Sequence, residues 1–85
     1  MKIPKVLLID KDRFFLKQFR FKLTAEGFVT EVALDAESGL EKIEIFSPDV
    51  ILLELLLPGM SGFEFLENFK ENSRTNSKLG RIFRF

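Results

Sequence analysis

The chain has 85 residues, of which 46% are hydrophobic and 31% charged, and its 13 basic and 13 acidic side chains give a formal net charge of zero. This is the composition of one small globular domain, and it provides no general attraction to nucleic acid or to an anionic membrane. Cysteine and histidine are both absent, which excludes disulfides, thiolate chemistry and Ser-His catalysis and removes the usual zinc ligands.

No charged and then apolar leader precedes Lys5, and no apolar run is long enough to cross a bilayer. We therefore expect a cytoplasmic protein without a membrane partner. The C-terminal stretch is basic but carries no nucleic-acid-binding motif, so we expect it to be solvated and predict no nucleic-acid partner. Its basic residues are Lys70, Arg74, Lys78, Arg81 and Arg84.

The first part of the chain predicts a strand, a helix and a second strand. Residues 5–9 are a continuous apolar run, typical of a strand covered on both faces, and Asp12 is placed to cap the helix that follows. The helix runs from about residue 12 to residue 26, ends before Gly27, and is followed by a strand at residues 28–33. Apolar side chains predicted to form the inner face of the helix are Phe15, Leu16, Phe19 and Leu23.

The next part repeats the alternation. Residues 35–46 predict a second helix that ends at Ser47-Pro48, residues 49–53 a third strand, and residues 62–72 a third helix. The predicted inner faces are Leu40, Ile43 and Phe46 in the second helix, and Phe63, Leu66 and Phe69 in the third.

The order β-α-β-α-β-α with short connections predicts an α/β fold with a parallel sheet and right-handed crossovers. Residues 80–85 alternate loosely and are either a fourth strand or a frayed tail. We assign residues 1–75 to the domain and residues 76–85 to a C-terminal segment that pairs within the chain or contacts a partner.

An apolar strand that ends in one acid is the most informative motif of the chain. Residues 49–62 read Asp-Val-Ile-Leu-Leu-Glu-Leu-Leu-Leu-Pro-Gly-Met-Ser-Gly, with Glu54 at the end of the strand. This segment resembles the strand that carries the phosphorylation site in response-regulator receiver domains, and the acidic end of the first strand fits the same family. The resemblance covers residues 5–72 and implies a partial doubly wound, flavodoxin-like sheet.

The resemblance also implies a site at the ends of the first and third strands. Glu54 stands where the family has its phosphoacceptor Asp, Asp10 and Lys11 stand where it has an acidic pair, and the backbone carbonyl of Leu56 matches a further metal ligand. The family uses these groups to bind magnesium, which implies a weak alternative site at Asp10, Glu54 and the Leu56 carbonyl.

Three departures from the family lead us to expect no phosphorylation cycle, no catalytic residue and no bound metal. Lys11 puts a cation where a divalent ion would lie, and Glu54 is longer than Asp by one methylene, which displaces its carboxylate by ~1.5 Å. In the family a switch Ser/Thr follows the fourth strand and a phosphate-binding Lys follows the fifth. Both fall beyond residue 85, so we expect a C-terminally short receiver.

Two alternatives stay open at these positions. Glu54 is either a permanent mimic of the phosphorylated state or a solvated acid at a strand end. Lys11 either forms an ion pair with Glu54 or Asp10 as an internal cation in place of a metal, or is an exposed side chain at a helix start.

Several apolar groups are candidates for contact with another chain. Phe14 and Phe21 fall off the inner stripe of the first helix. In the order 2-1-3 the third strand, which includes Val50, would be an edge of the sheet. An unpaired apolar edge strand can pair with a strand of another chain. Together with the terminal Ile82, Phe83 and Phe85, these groups predict a homodimer or higher oligomer.

The sequence therefore favours a degenerate receiver, or pseudo-receiver, that acts by protein–protein contact in two-component-type signalling. One alternative is a working receiver with Glu54 as phosphoacceptor and magnesium at Asp10. The other is a truncated receiver fragment without independent function.

Overall fold

The structure, a computed structural model, describes residues 3–72 and 81–84. In chain order its elements are β1 (Lys5–Ile9), α1 (Arg13–Ala25), β2 (Val29–Ala33), α2 (Ala36–Phe46), β3 (Val50–Leu53), α3 (Gly62–Asn72) and β4 (Arg81–Arg84). The predicted alternation of strands and helices is confirmed, with boundaries within a residue or two of those expected. In these described ranges no helix has the length and apolar content that crossing a bilayer requires.

The four strands form one parallel sheet in the order β2-β1-β3-β4. This confirms the doubly wound, flavodoxin-like fold class, in which the order reverses next to β1. Ile9 is in register with Ala33 on one side and with Leu53 on the other. The residues that follow β1 and β3, which are Asp10 and Glu54, therefore leave the sheet side by side.

Alternation along the strands divides the core into two layers. Leu7 and Ile9 of β1 lie on the face covered by α2 and α3, where they pack with Ile43 and Phe65. Val6 and Leu8 lie on the opposite face, where they pack with Leu16 of α1. Continuous apolar strands are needed because helices lie on both faces.

The strand β3 is an interior strand of the sheet, contrary to the expectation that it forms an edge. Arg81–Arg84 pairs with it in parallel, with Val50 opposite Arg81 and Leu53 opposite Arg84. Of the two possibilities for the terminal segment, the fourth strand is confirmed. Pairing between copies through the β3 edge is excluded in this arrangement, because that edge already has its partner.

The helix α3 presents a different face to the core from the one predicted. Phe65 is fully buried, whereas Phe63 is 60% exposed. The reason lies at the helix start, where Gly62 sits against the backbone of the preceding loop, and a Cβ there would lie 2.5 Å from Leu55 Cα. This close approach fixes the rotation of the helix. Leu66 packs against the core as predicted.

The inner face of α1 agrees with the prediction. Leu16 is the buried residue of this helix, and the half-buried Phe15 packs against Phe19 with tilted rings whose centroids are 5.4 Å apart. Phe19 and Leu23 pack at the margin of the Leu16 layer, as predicted.

Candidate functional site

The candidate site lies at the carboxyl edge of the sheet, between the ends of β1 and β3. The Asp10 N–H donates to the Ala33 carbonyl at 3.1 Å, and the Glu54 N–H donates to the Ile9 carbonyl at 3.0 Å. These two bonds extend the strand pairing by one residue and fix both acidic residues at the same edge. The sequence prediction that they lie together is consistent with this register.

Asp10 is a buried carboxyl, only 5% exposed. Its Oδ1 accepts a hydrogen bond from the Asp12 N–H at 2.9 Å. Burial raises the pKa of Asp10 above its ordinary value of 3.8; the bond from Asp12 lowers it, and the neighbouring Glu54 carboxyl raises it further. Charge on Asp10 is therefore costly in the folded protein.

Lys11 reaches across the site from the start of the β1–α1 connection. Its Nζ donates to the Leu56 carbonyl at 3.1 Å and forms an ion pair with Glu54 Oε1 at 3.4 Å. Of the two possibilities for this side chain, the ion pair is the one the structure contains. The Glu54 side chain is 19% exposed and the Lys11 side chain 53%, so Glu54 is less solvated than a strand-end acid in open water.

Asp12 caps α1 and takes no part in the carboxylate pair. Its Oδ1 accepts from the Phe15 N–H at 3.1 Å, which satisfies one of the free N–H groups of the first turn. The predicted capping role is confirmed.

The loop that carries the Leu56 carbonyl is held by contacts that sequence reasoning missed. Ser61 and Glu64 form a reciprocal capping box: Ser61 Oγ accepts from the Glu64 N–H at 3.2 Å, and Glu64 Oε1 accepts from the Ser61 N–H at 3.1 Å. The Gly62 N–H donates to the Leu55 carbonyl at 2.9 Å. The Ser-Gly-Phe-Glu spacing was the available signal, because Ser followed three residues later by Glu is typical of a helix start.

The predicted contact residues are dispersed over the molecule. Phe14 and Phe21 are 71% and 75% exposed, as expected for side chains off the inner stripe. Val50 is half-buried inside the sheet. Ile82 and Phe83 lie in β4, whereas Phe85 and residues 73–80, which contain the predicted domain boundary, lie outside the described residues.

The residues at the site do not fit a magnesium ion. A hard divalent cation needs several oxygen ligands, and two of the oxygens that would supply them, Glu54 Oε1 and the Leu56 carbonyl, already face the Lys11 ammonium. Within residues 3–72 and 81–84, no group of three or more Asp, Glu, His or Cys side chains is arranged to hold a metal. An ammonium group and a divalent cation cannot share this position, because like charges at that distance repel.

A parallel sheet of this order, with acids at the ends of its first and third strands, is the arrangement that the resemblance to receiver domains implied. A family model described as "Response regulator receiver domain" matches residues 6–82. The chain belongs to the response regulator receiver family and is a receiver domain of two-component signalling. The resemblance inferred from residues 5–72 is thereby confirmed.

Relatives show the same assignment. The DNA-binding response regulator MtrA of Mycobacterium tuberculosis is 32% identical over 69 residues, which cover 81% of this chain and 30% of MtrA. The transcriptional regulatory protein TrcR of the same organism is 32% identical over 68 residues, which cover 80% of this chain and 26% of TrcR. The chain thus spans less than a third of these relatives.

Solved structures agree with the fold. The chemotaxis response regulator CheY4 of Vibrio cholerae superposes with a TM-score of 0.86 at 28% identity, covering 98% of this chain and 68% of that chain. The receiver domain of the Francisella response regulator 1452 gives a TM-score of 0.80 at 26% identity, covering 95% and 64%.

Proposed function

We propose that this chain is a pseudo-receiver, a receiver domain that acts by protein–protein contact without a phosphorylation cycle. The observation that carries the proposal is the position of Lys11, whose ammonium group bridges Glu54 and the Leu56 carbonyl. Phosphoryl transfer depends chiefly on positioning and on neutralising the phosphoryl oxygens with a metal. An internal cation in that position removes the metal and occupies the acceptor.

The acceptor position supports the same conclusion. Glu54 is one methylene longer than the Asp of the family, and displacements of about 1 Å at a reacting group can cost roughly a hundredfold in rate. The same contact argues against Glu54 as a mimic of the phosphorylated state, because its negative charge is already paired with Lys11.

Contact with a protein is the remaining role, and the exposed aromatic side chains support it. Phe14 and Phe21 expose most of their surface on α1, and exposed apolar groups of this size are common at interaction sites. The predicted oligomer would then form through exposed apolar side chains such as Phe14, and not through the edge of β3. We also propose that the domain itself contacts neither nucleic acid nor membrane; MtrA is a DNA-binding response regulator, but this chain covers only 30% of it.

Treatment with acetyl phosphate and magnesium tests the absence of a phosphorylation cycle. We expect no hydroxylamine-labile mass increase in the wild-type protein, because neither the metal nor the acceptor is in place. The double variant Lys11→Asp with Glu54→Asp restores the acidic pair and the shorter acceptor and should gain some label, while an intact receiver domain serves as the positive control. A labile label on wild-type Glu54, lost in Glu54→Gln, would instead establish the working-receiver alternative.

A further inference from the structure

A groove runs along the outer side of α1, between this helix and the edge strand β2, and Lys11 is not among its lining residues. Its volume is about 690 Å³, within the range of peptide and small-molecule sites. Leu16, Val32 and Leu34 form its deeper part, and the exposed ring of Phe21 forms one wall. The groove therefore offers apolar surface next to an aromatic side chain.

The rim of the groove is cationic. Arg13, Lys17 and Arg20 recur at helical spacing along one side of α1, all three exposed, and no acidic side chain lines the groove. Within the described ranges, neither Arg13 nor Lys17 has an ion-pair partner. Three cations beside apolar surface favour a ligand that combines acidic and apolar groups.

Arg20 is only partly compensated by its surroundings. Burial raises the pKa of Glu31 on β2, but the Val32 N–H and the Lys42 ammonium lower it overall, and the charge of Arg20 adds to that lowering. The partner that Glu31 contacts directly is Lys42, at 3.3 Å. The positive potential of the rim therefore remains available to a ligand.

The strand β2 borders the groove. It is the outermost strand on its side of the sheet, and no other described strand pairs with its outer edge. Beside the groove, however, the main-chain groups of Val32 already have partners: its N–H donates to Glu31 Oε1 at 3.1 Å and its carbonyl accepts from Lys42 Nζ at 2.6 Å. A ligand beside Val32 and Leu34 is therefore held through its side chains.

We propose that the groove between α1 and β2 binds a peptide segment that alternates acidic and apolar side chains. The apolar side chains fill the space between Leu16, Leu34 and Phe21, and the acidic ones meet Arg13, Lys17 and Arg20. This names the chemistry of a partner for the contact role proposed above, but it does not depend on the state of Lys11. A nucleic acid fits less well, because the deep part of the groove is apolar.

Fluorescence anisotropy tests the proposal with a short labelled peptide in which Glu alternates with Leu and Val. We expect saturable binding that weakens with added salt, because screening acts on exposed charges. The same peptide with Gln in place of Glu should bind at least about tenfold more weakly. The amide resonances that shift on binding should lie in α1 and β2.

Two matched pairs of variants locate the site. Phe21→Ala should weaken binding by about tenfold, as truncating a central aromatic contact does, whereas Phe14→Ala, equally exposed but outside the groove, should not. Arg13→Glu with Lys17→Glu should remove most of the salt-dependent part of binding, whereas Lys22→Glu on the same helix, outside the groove, should leave it largely unchanged. Lys11→Asp should bind like wild type, which separates this test from that of the site.

The proposal is overturned by any of four results: equal affinity for the two peptides, equal losses in Phe14→Ala and Phe21→Ala, displacement of the peptide by single-stranded oligo-dT, or sedimentation showing that a second copy of the chain occupies the groove and excludes the peptide.

Discussion

The carboxyl groups of Asp10 and Glu54 and the ammonium group of Lys11 lie together at the edge of the sheet. The ion pair among them matters more for the site than for the stability of the fold. The Lys11–Glu54 pair is partly exposed, and pairs of this kind contribute only ~0–1 kcal/mol to folding. The importance of Lys11 is therefore not the stability it adds. Lys11 matters because it holds a positive charge at the site without a bound metal ion.

The charge on Asp10 should lower the stability of the folded protein at neutral pH. Because the pKa of Asp10 is raised in the folded state, the charged carboxyl destabilises the fold at neutral pH, and this cost disappears as pH falls through the raised pKa toward 3.8. Asp10→Asn keeps an acceptor for the Asp12 N–H and removes the charge. We expect it to raise the melting temperature at pH 7 by a few degrees, given that ~1 kcal/mol corresponds to roughly 4–8 °C in a domain of this size.

Melting followed by far-UV circular dichroism measures the effect, since the chain has no Trp or Tyr to report by fluorescence. The difference between the variant and the wild type should shrink as pH is lowered toward 3.8. Glu41→Gln, an exposed change on α2, controls for the loss of one negative charge. A lower melting temperature for Asp10→Asn at pH 7 would contradict the account.

At the scale of elements, α3 shows how one backbone contact decides which face of a helix is buried. Gly62 lies so close to the Glu54 carbonyl and the Leu55 backbone that only a residue without a side chain fits. The helix begins there with a fixed rotation, which directs Phe65 into the layer formed by Leu7, Ile9 and Ile51. Phe63 is left on the surface.

The same substitution at two positions of α3 tests this assignment. Phe65→Ala should cost roughly 3–5 kcal/mol, because it removes a fully buried ring, and that is a large part of the stability of a small domain. Phe63→Ala should change stability by no more than about 0.5 kcal/mol. Urea unfolding provides both values, and similar losses at the two positions would mean that the helix is rotated from the orientation described.

The elements were predictable from local signals, whereas the buried face of α3 was not. Asp12, Gly27 and the Ser47-Pro48 pair mark helix ends by backbone chemistry that acts within a few residues, and each lies where that chemistry predicts. The buried face of α3 depends on long-range packing. In α3 the apolar residues 63, 65, 66 and 69 allow two overlapping stripes, and only the Gly62 contact chooses between them.

The site was predictable in its position and less so in its contacts. The resemblance to receiver domains implied that β1 lies beside β3, so Asp10 and Glu54 were expected together at the carboxyl edge of the sheet. The direction of the Lys11 side chain could not be predicted, because a flexible side chain at a helix start has many rotamers. The carbonyl it reaches belongs to a loop shaped by Ser61, Gly62 and Glu64.

At the scale of the whole molecule, the sheet accommodates the terminal segment that the sequence left undecided. The strand β4 pairs with β3 in register from Val50 to Leu53, so the apolar body of the site strand is an interior strand. Of the surfaces predicted for assembly, the β3 edge is therefore covered, and the exposed Phe14 on α1 is still available. The site and the groove beside β2 are separate features of one fold.

If Lys11 takes the place of a divalent cation, thermal unfolding of the domain should not depend on magnesium. A ligand that binds only the folded state raises the melting temperature with its concentration. We predict no magnesium-dependent rise for the wild type or for the control Lys22→Asp, and a rise for Lys11→Asp that is larger when Glu54→Asp is added. A wild-type melting temperature that rises with magnesium as steeply as that of Lys11→Asp would contradict the account.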